Sequence, residues 1–393
     1  MYGVDGPLLA MTGVGALQAV AGLATVLAFA SRARPPLGTL PPVTLLKPVC
    51  GDEPLLEQAI TSFCLQDYPR FQLVIGAQDP CDPALAVARR VRARFPACDI
   101  AIVVDSRLHG ANRKVGNLIN MLPCAKHDML VIADSDLHVR PDYLAQVMAT
   151  LEQPGTGLVT TIGAGEPAAD GIASQIGAMH LSHIFLPSAL IAAAVGRQDC
   201  LGGTMALRRE TLTRIGGLGA LVDHLADDNV LGNLVRRDGL AVRIAPTLPV
   251  VTVQERTLSA LWLHEQRWSR TIRVLAPIAH AGTVVQYPLF WAMLWVLLSG
   301  GALAAVLCLA CTWILRAGVT RAIDTALRSL RARPAPPLPF WLLPVRDVLS
   351  VAHVVASFWD DVVVWRGQTM HADVGTKHEF TEMVIVEDET LAA

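Results

Sequence analysis

An apolar run in the first half of the chain ends abruptly in two carboxylates. Residues 129–133 are Met, Leu, Val, Ile and Ala, and Asp134, Ser135 and Asp136 follow directly. Side chains two residues apart on an extended chain point the same way, so both carboxylates would lie together at the edge of a sheet. Two like charges that close favour a cation between them, and Mg²⁺ or Mn²⁺ suits oxygen ligands and can also hold a diphosphate. The pattern indicates a nucleotide-sugar site, with a helix cap formed by Asp and Ser as the alternative.

A second pair of acids, Asp227 and Asp228, lies in the segment Ala226–Asn229. Adjacent acids point in different directions, so one can be structural and the other chemical. A sugar transferred with inversion needs a base that takes the proton of the acceptor hydroxyl, and a carboxylate within hydrogen-bond reach can do this. The alternative is a helix N-terminus, where the dipole favours Asp.

Two further features could bind a nucleotide. Asp79 follows an apolar run and could accept hydrogen bonds from a base or ribose, although an ordinary Asp-Pro turn explains it equally well. The segment 109–117 (HGANRKVGN) is a basic, glycine-containing loop before a predicted helix. Its backbone N–H groups and Lys114 could meet phosphate, and a solvated turn is the alternative.

A last candidate segment, His264–Arg270, lies just before an apolar stretch. Arg267 could stabilise a leaving diphosphate, and Trp268 could stack on a ring. The alternative is an interfacial Trp/Arg anchor at a membrane surface.

The elements that would position these residues alternate along the chain, which predicts a mostly parallel sheet covered on both faces. Ligands of such sheets bind beyond the carboxyl ends of the strands, where Asp79, Asp105 and Asp134 all stand. After residue 155 the alternation breaks, and antiparallel strands are expected. The predicted strands are 43–46, 72–77, 100–104 and 129–133, and the predicted helices are 55–65, 83–95, 116–122 and 142–151.

The composition indicates a membrane protein with a large polar domain. The 393 residues are 52% hydrophobic and 17% charged, whereas soluble domains are usually about 25% charged. Residues Pro7–Ala30 and Val284–Leu315 carry no charge, and a third apolar stretch, Leu338–Trp359, is interrupted only by Arg346 and Asp347. Stretches of about 20 apolar residues can cross a bilayer.

The flanking charges predict how the chain is oriented. Asp5 stands where a signal peptide would be basic, and Arg32 and Arg34 follow the first apolar stretch, so residue 31 onward is expected to be cytoplasmic. A single crossing by Val284–Leu315 would put the basic segment 316–337 outside. Because Ser299–Gly301 divides that stretch, two short or re-entrant halves are the alternative, and the sequence leaves this topology open.

Other classes of protein find little support. The eight cysteines lack metal-ligand spacing, and Cys308 and Cys311 lie within an apolar stretch, so we interpret them as small hydrophobic residues. A cytoplasmic location argues against disulfides. A net charge of −2 without a basic, aromatic surface gives no indication of nucleic-acid binding.

In this order, the motifs resemble the family 2-like glycosyltransferases with the GT-A fold. More closely they resemble the family 21 ceramide glucosyltransferases and their bacterial relatives, the hopanoid biosynthesis-associated glycosyltransferases. The segment Leu108–Leu122 is the most specific and favours the hopanoid-associated branch. The other matching segments are Leu46–Pro48, Gly51–Pro54, Ser62–Cys64, Gln66–Pro69, Gln78–Pro83, Ala133–Asp136, Ala226–Asn229, Arg267–Trp268 and Trp365–Gly367.

The resemblance implies a role for each matching residue. Asp79 would bind the uracil or ribose of UDP, Asp134 and Asp136 would hold Mg²⁺ or Mn²⁺ with the diphosphate, and Asp228 would be the catalytic base. Asp136 is the expected direct metal ligand. His264 departs from the family, which has Gln or Arg at that position. The residues expected to bind the donor are Lys47, Pro48, Asp79, Asn112, Lys114, Asp134, Gln266, Arg267 and Trp268.

The resemblance also implies the fold and the reaction. The expected protein is an α/β GT-A domain flanked by transmembrane helices, in a bacterial inner membrane, that transfers a sugar with inversion from a UDP-sugar to a lipid hydroxyl. N-acetylglucosamine transfer to a hopanoid polyol is favoured, with glucose transfer to ceramide and a non-catalytic nucleotide-sugar-binding protein as alternatives. The expected segments are a membrane helix (1–30), a linker (31–42), a cytoplasmic catalytic domain (43–282), a membrane region with two or three hydrophobic segments and a basic loop at 316–337 (283–360), and a polar tail (361–393).

Overall fold

The computed structural model describes residues 5–36, 38, 40–334, 339–360, 362–365 and 368–371. Arg366 and Gly367 of the motif near the end, and most of the predicted polar tail, lie outside these residues. The strands are β1 (Val43–Pro48), β2 (Phe71–Ala77), β3 (Asp99–Val104), β4 (Met129–Ala133), β5 (Leu137–His138), β6 (Thr156–Thr160), β7 (Ala164–Pro167), β8 (Thr204–Arg208), β9 (Ala241–Ile244), β10 (Val250–Val253), β11 (Val362–Trp365) and β12 (Gln368–His371).

The described α-helices follow the same numbering in chain order. They are α1 (Asp5–Ala30), α2 (Leu56–Cys64), α3 (Ala84–Arg94), α4 (Arg113–Met121), α5 (Tyr143–Leu151), α6 (Ile172–His180), α7 (Leu186–Ala194), α8 (Arg209–Arg214), α9 (Asp227–Arg237), α10 (Leu258–Leu275), α11 (Pro277–Gly282), α12 (Pro288–Leu298), α13 (Leu303–Leu327) and α14 (Leu343–Ala356).

The central sheet has seven strands in the order β3-β2-β1-β4-β8-β6-β9. The first four strands are parallel, as the alternation of strands and helices predicted. Strand β8 is antiparallel to both β4 and β6, and β9 is parallel to β6. The expected antiparallel strands after residue 155 are therefore confirmed.

The two faces of the sheet bury alternate residues of the same strand. Leu45 packs with α2, α3 and α5 on one face, whereas Leu46 packs with α4 and α9 on the other, and neither is exposed to solvent. Continuous apolar strands are typical of a sheet covered on both faces. The predicted elements of the first half therefore form, with boundaries within three residues of those predicted.

A three-stranded sheet, β5-β10-β7, lies beside the central sheet. Strand β5 begins directly after Asp136 and pairs antiparallel with β10, opposite Val250 and Val251. Strand β10 pairs in parallel with β7. The carboxylates that end β4 are therefore held between the central sheet and this smaller sheet.

Helices α1, α12 and α13 pack together outside the domain that is built on the central sheet. At one end Trp295 Nε1 of α12 donates to Asp5 Oδ1 of α1 at 2.7 Å. At the other end Val26 of α1 packs in one apolar cluster with Val319 and Ile323 of α13. Helices α1 and α13 therefore run in the same direction, and α12 runs in the opposite direction.

The predicted break at Ser299–Gly301 is a turn between α12 and α13, where Gly300 and Gly301 have φ of 67° and 83°. The predicted basic loop at 316–337 is wrong over its first twelve residues, because α13 continues through Arg316 and Arg321 to Leu327. A buried arginine is tolerated there because Asp347 pairs with Arg316 at 3.2 Å.

The basic segment that follows α13 bonds the domain that is built on the central sheet. Arg331 Nη2 donates to the Gly165 carbonyl at 3.1 Å, and Arg140 Nη1 donates to the Ser329 carbonyl at 3.0 Å. The α12–α13 hairpin thus brings the basic segment back to the side of the domain, which a single crossing could not do.

Three stretches of the described chain are long and apolar enough to span a membrane, namely α1, residues 172–194 and α13. A bent pair, Pro277–Gln286 with Pro288–Leu298, would make a fourth. Residues 172–194 combine α6, a π-helical segment Leu181–Phe185 and α7. The sequence analysis did not predict this stretch as a possible membrane span. Of this stretch 61% is buried within the protein, against 22% for α1, so it packs mainly on protein.

Candidate active site

The two carboxylates that follow β4 stand at the carboxyl edge of the central sheet. The Asp134 amide donates to the Gly203 carbonyl at 3.2 Å, and the Thr252 amide of β10 donates to the Asp136 carbonyl at 3.1 Å. The backbone of Asp134 is therefore held by the residue before β8, and the backbone of Asp136 is held by β10 of the smaller sheet.

Lys114 joins the two predicted acid pairs. Its Nζ lies 2.9 Å from Asp134 Oδ1 and 3.5 Å from Asp227 Oδ2. Burial alone would lower the pKa of Lys114, but the carboxylates of Asp134 and Asp227 outweigh it and raise that pKa well above its usual range. Lys114 is therefore a permanent cation between the ends of α4 and α9.

Lys47 is a second buried cation at the same edge. The side chain is 1% exposed, and its Nζ donates to the Asp134 carbonyl at 2.6 Å and lies 4.0 Å from the centroid of the Phe63 ring. Burial lowers the pKa of Lys47 to about 8, against the opposing charges of Asp136 and Asp134. Pro48, also expected at the donor site, follows it as the buried last residue of β1.

Asp136 lies among like charges. Burial, together with the charges of Asp134 and Glu53, raises its pKa to about 7. Glu53 was quoted only as part of a motif, and no role was predicted for it. Glu53 follows Asp52 directly between β1 and α2, 83 positions before Asp136, so only the fold reveals its proximity to Asp136.

The carboxylates of Asp134 and Asp136 could hold a hard divalent cation that takes its remaining ligands from water and substrate phosphate. Among the described residues no group of three His, Cys, Asp or Glu side chains could hold a metal ion by itself. Mg²⁺ commonly binds through one or two carboxylates and takes its other oxygens from water and substrate phosphates. Asp134 and Asp136 supply such a pair, and a cation there would relieve the crowding of negative charge that raises the pKa of Asp136.

Asp228, the predicted base, lies in the first turn of α9. Burial and then the charge of Asp227 raise its pKa to about 7, against the opposing charge of Lys114. Gly202 has φ of 77°, and a Cβ on it would lie 2.7 Å from Asp228 Oδ2. Position 202 therefore requires glycine, because a larger residue there would displace the Asp228 carboxylate.

Two of the expected donor-binding residues have bonds that bear on that role. Asp79 is exposed, and its Oδ1 accepts from the Cys81 amide at 2.8 Å, which is the turn geometry given as the alternative. Asn112 is fully buried, caps α4 through the Val115 amide at 3.1 Å, and donates to the His224 carbonyl at 2.8 Å. Since both polar groups of Asn112 are bonded within the protein, we assign it to positioning α4 rather than to contact with the donor.

Helix α10 carries Gln266, Arg267 and Trp268. The Trp268 ring lies 4.4 Å from the His264 ring and 6.3 Å from the His180 ring, measured between centroids. It packs in one apolar cluster with Val253 of β10, the strand beside β5. His264, which departs from the family motif, hydrogen-bonds Glu255 through Nδ1.

The structure brings most of the predicted site together. Lys47, Lys114, Asp134, Asp136 and Asp228 interact at one sheet edge through the bonds and charges described above. Trp268 packs with Val253 of β10, and the neighbouring residue Thr252 bonds the Asp136 carbonyl. The arrangement can hold a diphosphate beside a cation and offers a carboxylate that can take up a proton near neutral pH.

Part of this chain is similar in sequence to known proteins. Ceramide glucosyltransferase 1 of Caenorhabditis elegans is 29% identical over 113 residues, which is 29% of this chain and 24% of that protein. The ceramide glucosyltransferase of Komagataella phaffii is 30% identical over 115 residues, 28% of this chain and 23% of that protein. The chain thus matches about a quarter of the length of these curated relatives.

One solved structure shares the fold over most of the chain. The mannosyltransferase PcManGT of Pyrobaculum calidifontis, solved in complex with GDP-Man and Mn²⁺, superposes with a TM-score of 0.52 at 19% identity, covering 90% of this chain and 99% of that one. The expected GT-A fold is therefore confirmed. Residues 9–378 match the family described as glycosyl transferase family 21, so this chain belongs to glycosyl transferase family 21.

Proposed function

We propose that the protein is a membrane-bound, inverting glycosyltransferase that moves a sugar from a UDP-sugar to a hydroxyl of a membrane lipid. The observation that carries this proposal is the partly buried group of Lys114, Asp134 and Asp228 at one sheet edge, where Lys114 Nζ bonds Asp134 at 2.9 Å. Family membership and the apolar helices beside the domain support it.

In this proposal the residues have separate tasks. Asp228 takes the proton of the acceptor hydroxyl as that oxygen attacks the anomeric carbon, and UDP leaves on the opposite side. Lys114 and Arg267 stabilise the negative charge that develops on the leaving diphosphate. A divalent cation held by Asp134 and Asp136 would add positive charge at the same place.

The acceptor is proposed to be a neutral lipid with a free hydroxyl. The names of the curated relatives support ceramide with UDP-glucose. The segment Leu108–Leu122, which resembles the bacterial hopanoid-associated branch, supports a hopanoid polyol with UDP-N-acetylglucosamine. We retain the hopanoid polyol as the first proposal and ceramide as the alternative.

The proposed setting is the cytoplasmic face of a bacterial inner membrane. Arg32 and Arg34 follow α1, and the basic end of α13 bonds the catalytic domain, so both basic segments lie beside that domain. Basic residues favour the cytoplasmic side. Residues 43–282 would then meet UDP-sugar in the cytoplasm and the lipid at the bilayer surface.

A radiolabel transfer assay on membranes containing the protein tests this proposal. UDP-glucose and UDP-N-acetylglucosamine are offered separately, each with ceramide or with bacteriohopanetetrol, with and without EDTA. Label in a single lipid that disappears with EDTA would identify donor, acceptor and metal dependence together. UDP binding without transfer to either lipid would contradict the proposed reaction and favour a non-catalytic nucleotide-sugar-binding protein.

A further inference from the structure

The helix that carries Gln266, Arg267 and Trp268 is bonded to α14 by a buried ion pair. Arg346 Nη1 lies 2.6 Å from Glu265 Oε1, and Arg346 Nη2 lies 2.7 Å from Glu265 Oε2. The two side chains are 1% and 5% exposed. A two-point bond between arginine and carboxylate fixes direction as well as distance.

A second residue of α14 bonds the same part of α10. His353 Nε2 lies 3.1 Å from Glu265 Oε2, and its Nδ1 lies 3.1 Å from Gln266 Oε1. The His353 ring also lies 4.2 Å from the Trp262 ring, measured between centroids. The two residues just before Arg267 are therefore both held by α14.

Helix α14 is itself fixed to the membrane helices. Asp347 follows Arg346 directly and points to another side of the helix. It pairs with Arg316 of α13 at 3.2 Å and accepts from the Leu289 amide of α12 at 3.1 Å. The short helix therefore connects the α12–α13 hairpin to the helix of the donor site.

Stability alone is a weak reason for such a pair. Removing two charges from water costs so much that apolar residues of similar size often stabilise a protein as well or better. Burial would raise the pKa of Glu265, but the charge of Arg346 outweighs it and holds that pKa below its usual range, so the carboxylate is charged. What the pair provides is a defined orientation of α10.

We propose that Arg346 and His353 are positioning residues, which hold Glu265 and Gln266 so that Arg267 and Trp268 face the nucleotide-sugar. The inference rests on the proposed function and adds to it the way in which the donor-site helix is oriented. Neither residue touches the donor. Their loss acts through α10 and weakens binding of the nucleotide.

The experiment uses the full-length protein in lipid nanodiscs and measures the Kd for UDP, together with the KM for UDP-sugar and for the lipid. The double variant Glu265→Gln/Arg346→Met removes both charges yet keeps an acceptor for His353. His353→Leu keeps the ion pair but loses the bond to Gln266. The matched control is Asp324→Asn, which removes the charge of Asp324 on α13 from its pair with His183 (2.9 Å) and leaves these α10 contacts in place.

We expect the double variant and His353→Leu to raise the UDP Kd and the KM for UDP-sugar about tenfold, because misplacement of a binding group is costly. The KM for the lipid and the UDP Kd of Asp324→Asn should stay within about twofold of wild type. A wild-type UDP Kd in a folded variant of either kind overturns the inference. So does an equal rise in the Asp324→Asn control.

These experiments distinguish failure of the positioning role from failure of the proposed function. If the wild type binds UDP but transfers no sugar, the proposed function fails, while a higher UDP Kd in the variants still supports the positioning role. If transfer is found and the UDP Kd does not change, the positioning role fails and the proposed function is unaffected.

Discussion

The acids of the site lie close to one another and are partly shielded from solvent, which makes the charge of Asp136 and Asp228 dependent on pH near neutrality. Burial and Asp227 raise the pKa of Asp228 to about 7, and burial with Asp134 and Glu53 does the same for Asp136. A carboxylate with such a pKa is a stronger base than an exposed one and still becomes charged near neutral pH. These raised pKa values predict that the rate of sugar transfer depends on pH near neutrality.

We expect kcat/KM to rise about tenfold for each pH unit below 7 and to level off near pH 8, because the base must be ionised to accept a proton. Assays between pH 5 and 9 at saturating Mg²⁺ would show this, since a bound cation keeps Asp136 ionised and leaves Asp228 to set the acidic limb. A rate that stays constant down to pH 5 would argue against Asp228 as the base.

The same burial should cost stability when Asp228 is ionised. Its pKa in the folded protein, about 7, lies above the ordinary value of 3.8, so the folded state loses stability as pH rises between these values. We expect Asp228→Asn to stabilise the protein by ~2 kcal/mol at pH 8 and to have little effect at pH 4. Thermal unfolding in detergent measures this.

The control for that stability measurement is Asp128→Asn. The Asp128 side chain is 91% exposed, so its ionisation costs the folded state little. Equal unfolding midpoints for Asp228→Asn and wild type at pH 8 would show that the burial of Asp228 does not cost stability.

Many residues of the site could be predicted from the sequence, because the pattern around each of them is short and local. Asp134 and Asp136 follow an apolar strand, and Asp228 opens a helix, so their surroundings are encoded within a few residues. The pairing of Glu265 with Arg346 spans 81 positions and depends on how α10 and α14 pack. A motif cannot show such a contact, because it is a property of tertiary structure.

At the scale of elements, the loop before β8 determines where α9 places its first turn. Gly202 has φ of 77°, and a Cβ there would lie 2.7 Å from Asp228 Oδ2. Gly239, after α9, has a similar φ of 81°, but a Cβ on it would meet no other atom within 4 Å. An alanine at either position would strain the backbone, but only an alanine at position 202 would also collide with Asp228.

We expect Gly202→Ala and Gly239→Ala each to lose about 1 kcal/mol of stability, since both force alanine into the left-handed region. Only Gly202→Ala should also lower kcat, by about tenfold or more, because it displaces Asp228. Chemical unfolding and the transfer assay measure the two effects. Equal kcat values for the two variants would contradict the positioning of Asp228 by this loop.

The alternation of apolar strands and helices predicted most elements of the first half, because the period of burial is visible in the sequence. The start of α4 at Arg113 differs from the predicted residue 116, since the cap formed by Asn112 adds a turn before the apolar pattern begins. The continuation of α13 past Arg316 was not predictable, because the partner that neutralises this arginine is Asp347 on another helix.

At the scale of the whole molecule, α1 packs against the α12–α13 hairpin, and this arrangement predicts on which side of the membrane the sugar-transfer site lies. The turn at Gly300 lies at the far end of the hairpin, while Arg331 bonds Gly165 of the domain. The basic segment and the domain should therefore share the cytoplasmic side.

We expect an epitope tag inserted at Gly300 to be reached by antibody from the outer side of the membrane, because α13, which separates it from the domain, is long and apolar enough to cross. A tag at Gly239, on the domain surface, should be reached only after the inner membrane is permeabilised. Immunolabelling of spheroplasts measures both. Labelling of both tags from the same side would contradict the proposed arrangement.

The central claim is that Asp228 takes the proton in sugar transfer, and one substitution tests it most directly. In Asp228→Asn the amide keeps the size of the side chain but cannot act as a base, and Asp238→Asn at the other end of α9 is the matched control. We predict that Asp228→Asn loses at least about a thousandfold in transfer to lipid, with a UDP Kd within about threefold of wild type, and that the control keeps full activity. Transfer by Asp228→Asn at a wild-type rate would contradict the account.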